Sequence, residues 1–169
     1  MIDRRRLVRL AAAALPAAFL VRPRAARAQQ AYQRFLPFLV DLSGWTGEKP
    51  DGMAMDVGGT SMVTATRGYR RGDATLNVQI VIGAPAQGGL AMIQTGMKLE
   101  TPEMRLSSDT VDGFKLARTF QIKDKSGGVL VALGTSALFN VSFRGIADDE
   151  AFGLARRFDW KAIQAALPK

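Results

Sequence analysis

Three thioethers stand close together in the chain, at Met53, Met55 and Met62. Met53-Ala54-Met55 sets two sulfurs on one face of an extended segment, because side chains alternate along a strand. Soft sulfur donors suit Cu(I), so the trio is the candidate metal-ligating set. Methionine is also a common core filler, and Met62, Met92, Met97 and Met104 each fit the apolar face of a predicted element. A second group is basic and aromatic. Arg67, Tyr69 and Arg71 project from one side of a predicted strand, with Arg70 adjacent. Together with Trp45 they form the candidate ligand- or partner-binding set, suited to an acidic partner, a phosphate or a polyanion. A solvated strand end whose charges discourage edge pairing would have the same composition.

Acids and glycines complete the inventory. Asp109 and Asp112 bracket a predicted turn, and Asp148, Asp149 and Glu150 open a predicted helix. Paired carboxylates serve acid–base chemistry or calcium, but turn and cap duties account for all five. Gly83-Ala84-Pro85-Ala86-Gln87-Gly88-Gly89 joins a strand to a helix, where anion-binding turns occur. It lacks the Lys and Ser/Thr of a phosphate loop and the G-x-G-x-x-G spacing. Asn140-Val141-Ser142 matches a glycosylation sequon inside a predicted central strand, where it is discounted.

The chain contains no His and no Cys. Thiolate nucleophiles, iron–sulfur clusters and zinc–thiolate sites are thereby excluded, as is a serine triad of ordinary type. The reading that follows is a non-enzymatic domain that binds a partner protein or a small ligand, with no cofactor. Two alternatives stand beside it. One is a carboxylate- or Ser-based hydrolase of envelope material, which needs acids converging in a cleft near Arg118 or Lys115. The other is a thioether copper binder.

Stepping along the chain, residues 30–41 suggest a short amphipathic helix or apolar arm interrupted at Pro37. Residues 43–52 are rich in turn formers and read as a loop, and Met53 to Val57 as a short edge strand. Met62–Tyr69 and Ala74–Ile82 alternate and flank Arg70-Arg71-Gly72-Asp73, which predicts a hairpin. In the second strand Leu76, Val78, Ile80 and Ile82 share one face, and Thr75, Asn77 and Gln79 the other. A helix follows over Gly89–Leu99. Met104–Val111 and Phe114–Lys123 flank Asp112-Gly113, a second hairpin in which Arg118 is the odd member of an apolar face. Val129–Leu133 and Ala137–Arg144 are nearly continuous apolar runs, as expected of central strands. Asp148 is placed to cap a helix through Phe158, and Asp159 a second one carrying Trp160, Ile163 and Leu167.

The first 28 residues have the three-part layout of a removable export signal. Arg4, Arg5, Arg6 and Arg9 precede the apolar run Leu10–Val21, and Ala26-Arg27-Ala28 is a small-x-small cleavage site. Twelve apolar residues make about 18 Å of helix against about 30 Å of bilayer core, too short for a stable span. Arg4-Arg5, Leu7-Val8 and Arg9 resemble the twin-arginine export motif, with Asp3 in place of its usual Ser or Thr and Leu7 in place of its Phe. That resemblance implies export after folding; a general secretory route is the alternative. Residues 1–28 carry seven Arg and one Asp, +6 of the chain's +8, so the remaining 141 residues are nearly neutral at +2. Nucleic acid is therefore not an expected partner. The expected location is periplasmic or secreted, after cleavage near Ala28-Gln29.

Residues 29–169 then form a single domain. The expected class is α+β: a twisted, mainly antiparallel sheet of about six strands with helices packed on it, in the order β-β-α-β-β-β-β-α-α. Over roughly residues 43–167 this element order is similar to that of the Mog1/PsbP-like class of small secreted α+β domains. The resemblance implies a binding or accessory role.

Overall fold

The computed structural model of the chain describes residues 31–57 and 60–168; the expected export signal lies outside them. Alternation dominates the middle of the sequence, and the structure is correspondingly mostly sheet. Nine strands form it: β1 (Thr46–Gly47), β2 (Asp51–Val57), β3 (Thr60–Arg71), β4 (Ala74–Ile82), β5 (Leu99–Glu100), β6 (Met104–Val111), β7 (Phe114–Gln121), β8 (Ser126–Ala132) and β9 (Ala137–Arg144). Among the described residues they are accompanied by helical residues at 31–33 and by three short helices, α1 (Ala86–Gln94), α2 (Asp148–Ala155) and α3 (Trp160–Ala165). Every strand pairing is antiparallel, in the order β1-β3-β4-β9-β8-β7-β6-β5, with β2 also on β3.

The expected six-stranded sheet is thus corrected to nine strands, in the order β-β-β-β-α-β-β-β-β-β-α-α. The physical reason lies in β3. Its 12 residues are long enough for one edge to take two short partners, β1 against Tyr69–Arg70 and β2 against Thr60–Thr66. Segment 46–47 pairs because of the edge it meets, whatever its turn-forming composition. The same holds for β5, whose two exposed residues pair with Arg105 and Leu106. Other boundaries shift too. The first helix occupies Ala86–Gln94 instead of 89–99, and α2 stops at Ala155 instead of Phe158.

The sheet has two differently used faces. In β4 the burial alternates strictly, with Ala74, Leu76, Val78, Ile80 and Ile82 inward. On this core face they meet Tyr69, Leu116, Val129, Val131, Phe139, Val141 and Phe143. The lid over that face has two parts. One is the amino-terminal arm, where Phe35, Leu39 and Leu42 are buried around a 3-10 turn containing Pro37. The other is α2 and α3, contributing Ala151, Ala155, Trp160 and Ile163, with Phe158 between them. Aromatic rings knit the layers, Phe139 lying 5.3 Å from Phe158 and 6.2 Å from Trp160 between centroids. On the outer face α1 covers only the β7–β9 side, burying Ala86, Leu90 and Ile93 against Ala117 and Leu138.

Gly127 shows how closely the core face is fitted. It stands in register between Phe120 on β7 and Phe143 on β9, whose rings stack with centroids 6.2 Å apart. A Cβ at this position would lie 1.9 Å from the Thr119 carbonyl oxygen.

Candidate functional site

Arg67, Tyr69 and Arg71 do share one face of β3, and it is the core face. Arg67 keeps only 12% of its side chain exposed. Its Nε donates to the Glu48 carbonyl at 2.8 Å, Nη1 to the Leu39 carbonyl at 2.7 Å, and Nη2 to the Asp41 carboxylate. The guanidinium also lies 5.1 Å from the centre of the Tyr69 ring. Tyr69 is buried and donates its hydroxyl to the Val40 carbonyl at 2.7 Å. Burial pushes that hydroxyl up from 10.0 to about 12, against the opposing pull of the Arg67 charge. Together these two side chains fasten residues 39–48 to the sheet. Arg71 lies 4.5 Å from the centre of the buried Trp45 ring and pairs with Glu150 on α2. Arg70 points to the opposite face and is largely exposed, with Glu48 3.6 Å away. The five residues of the sequence-defined patch therefore divide: four hold the arm and α2, and Arg70 faces solvent across the sheet.

The carboxylates are engaged in the frame as well. Arg118, the odd member of β7, reaches Asp148 and Asp149 at the start of α2 and lies 4.7 Å from the Phe152 ring. Burial opposes its charge, but hydrogen bonds to Asp149 and Asp148 outweigh that and raise its pKa above the usual value. Asp148 was expected to cap α2; the cap position is Ala147 instead, and Asp148 is the first helical residue with its carboxylate given to Arg118. Asp159 does cap α3, accepting from the Ala162 amide at 2.9 Å. Asp112, in the left-handed region at φ 53°, sits in the hairpin turn and meets Arg156 at 3.4 Å. Asp109 is exposed and accepts from the Thr110 amide. In the glycine-rich connection, Gly83 (φ +93°) donates to the Ser136 carbonyl and its own carbonyl accepts from the Ala86 amide. Asn140 of the sequon is half-buried in β9 and donates to Gln79.

The part of the outer face that α1 leaves uncovered is polar. Register carries one row of residues across the sheet as Arg70, Thr75 and Arg144, and the next as Gly68, Asn77, Ser142 and Gly128. The second row has glycine at both ends, so it forms the floor of a trough between taller rows. A third row, Thr66, Gln79 and Asn140, makes the far wall. Glu48 closes one end, its carboxylate lying over Gly68. The resulting pocket has a volume of about 380 Å³ and is lined by Glu48, Arg70, Thr75, Asn77, Ser142 and Arg144 among others. Among the described residues Arg144 forms no ion pair. Arg70 and Arg144 flank Thr75 on adjacent strands, which sets their backbones about 10 Å apart, two strand spacings. Two other cavities, beside Trp160 and beside Leu167, are smaller at about 190 and 210 Å³.

Sequence reasoning had marked Thr75, Asn77 and Gln79 only as the polar side of a strand. Arg144 and Ser142 carried a signal of the same kind, outward positions at the end of an apolar strand, but register alone brings the two strands together. No protein-family model, curated protein or solved structure matches the chain.

Proposed function

We propose that this is an exported, non-enzymatic binding domain whose ligand lies in the outer-face trough between Arg70 and Arg144. The observation that carries the reading is that pair of arginines over a floor of Gly68, Asn77, Ser142 and Gly128. Guanidinium forks recognise carboxylate and phosphate bidentately. Thr75, Asn77 and Ser142 add donors and acceptors for hydroxyls or amides. At about 380 Å³ the trough falls within the size range of small-molecule sites. The ligand class is therefore a small anion, with one or two carboxylate or phosphate groups and further polar substituents. A periplasmic or secreted location rests on the amino-terminal sequence.

The hydrolase reading has less support. Its two acids beside Arg118 exist, as Asp148 and Asp149, but both carboxylates are hydrogen-bonded to that one guanidinium. Paired in this way the two carboxylates anchor a helix.

The test is native mass spectrometry of the mature domain recovered from its own envelope, together with calorimetric titration of phosphate, pyrophosphate and citrate. The wild type is expected to carry or bind at least one such anion. The Arg70→Gln/Arg144→Gln double variant is expected to bind it at least about tenfold more weakly, a loss of about 1.4 kcal/mol or more. Equal binding by the double variant, or no anion bound by the wild type, overturns the proposal.

A further inference from the structure

The outer face around the trough carries hydroxyls and amides, but one corner of it does not. Met53 and Met55 point outward from β2, since Ala54 between them packs against the core. Met62 stands directly across from Met55 in register. Its neighbour Val63 is buried on the core side, so Met62 shares the outward face. Opposed antiparallel residues place their Cβ atoms about 4.5–5.5 Å apart, and diagonal neighbours such as Met53 and Met62 about 7–8 Å or less. A methionine side chain is unbranched and has three rotatable bonds. Three sulfurs can therefore converge on one point above the β2–β3 hairpin.

Core filling does not account for this trio. Met53 is 57% exposed and Met55 43%, and Met62 is half-buried. Apolar side chains left in water forgo the burial that normally retains them, yet here three adjoin on a face whose next residues are Thr64 and Thr66. Asp51, the next outward residue along β2, is exposed and brings negative charge to the same face. Among the described residues no cluster of three or more His, Cys, Asp or Glu side chains is placed to hold a metal ion. The chain has neither His nor Cys, so thioether sulfur is its only soft donor.

We propose that Met53, Met55 and Met62 form a three-thioether site for Cu(I). Neutral, polarisable donors favour this soft monovalent ion over zinc, magnesium and calcium, which prefer nitrogen, thiolate or oxygen. Binding involves no change of oxidation state: the three sulfurs replace the ligands with which the ion arrives. The site is distinct from the trough and does not depend on it.

The experiment is anaerobic titration of the mature domain with Cu(I) against a chromogenic Cu(I) chelator, repeated with Ag(I) by native mass spectrometry. The wild type is expected to take up one equivalent. Met53→Leu and Met55→Leu, both at exposed positions, should each weaken uptake about tenfold or more. Combining them with Met62→Leu should abolish it, while Met92→Leu/Met97→Leu should leave it unchanged. Leucine keeps apolar volume, and a denaturation midpoint for each variant separates loss of site from loss of fold. If the triple variant does not fold, the two exposed single variants decide the question. The proposal is overturned if the wild type takes no copper from the chelator, if the leucine variants bind as the wild type does, or if uptake falls equally in the Met92/Met97 variant.

Discussion

Replacing Tyr69 with Phe removes one oxygen from the clamp that holds the amino-terminal arm, and the outcome should change sign with pH. At neutral pH the variant loses the hydrogen bond to the Val40 carbonyl. Val40 is 40% exposed, so water can take up the freed oxygen and the cost is about 1 kcal/mol. Alkali acts oppositely on the wild type. The unfolded chain releases the Tyr69 proton near pH 10, whereas the folded protein holds it to about 12. The stability linked to that proton is fully present below pH 10 and lost as pH rises through about 12, in total about 3 kcal/mol. The wild type's advantage of about 1 kcal/mol should therefore vanish between about pH 10 and 11 and become a deficit of about 2 kcal/mol above pH 12. Urea denaturation of both proteins from pH 8 to 11.5 measures the crossing, because groups common to the two cancel in the difference. A Tyr32→Phe background leaves Tyr69 as the only tyrosine, so tyrosinate absorbance reports its titration directly. Parallel stability curves, or tyrosinate forming near pH 10 in the folded protein, would refute the clamp and its burial.

Two other expectations concern the frame. Gly127→Ala should destabilise by about 3 kcal/mol or more in chemical denaturation, because its Cβ meets main chain at 1.9 Å. Gly128→Ala, whose Cβ would sit 3.4 Å from the nearest oxygen, should cost under about 1 kcal/mol; equal effects would count against the register of β7, β8 and β9. A double-mutant cycle of Arg118→Met and Asp148→Asn should give a coupling of about 1–3 kcal/mol, between surface and buried limits, since both side chains are less than one-fifth exposed. A coupling near zero would show that the Arg118–Asp148 pair does not help to hold α2.

The sequence was most legible where one side of a strand is buried and the other is wet. The alternation of Ala74–Ile82 is reproduced position by position in its burial, because a one-residue slip would expose the whole apolar set. Asp112-Gly113 was equally readable, as both residues adopt positive φ in the turn. What escaped was set by partners distant in the chain. Thr46–Gly47 and Leu99–Glu100 carry no strand pattern of their own and pair because a longer strand offers them an edge. Arg118 stood out as a charge on an apolar face, but the acids that receive it lie 30 and 31 residues away. The sequence-defined basic patch was correct about which side of β3 its members share, yet composition could not tell whether that side faces core or water. Only the lid, made by residues 35–45 together with α2 and α3, decides it. The trough was hidden for a related reason, since Arg70 and Arg144 become neighbours through β4.

The seam between β4 and β9 also dictates an order of events. The β3–β4 hairpin and the run from β6 to β9 are each assembled from neighbours in sequence, with short loops that close at small entropic cost. Joining them is different: Ile82 must find Ala137 after the whole of α1, β5, β6, β7 and β8 has intervened. Until β9 has been synthesised, Leu76, Val78 and Ile80 have a partner on one side only. The polypeptide leaving a ribosome can thus make two unfinished halves, and the pairing that joins them waits for β9. During translation the exposed edge of β4 is the place where a chaperone, or a second unfinished chain, would find the molecule open.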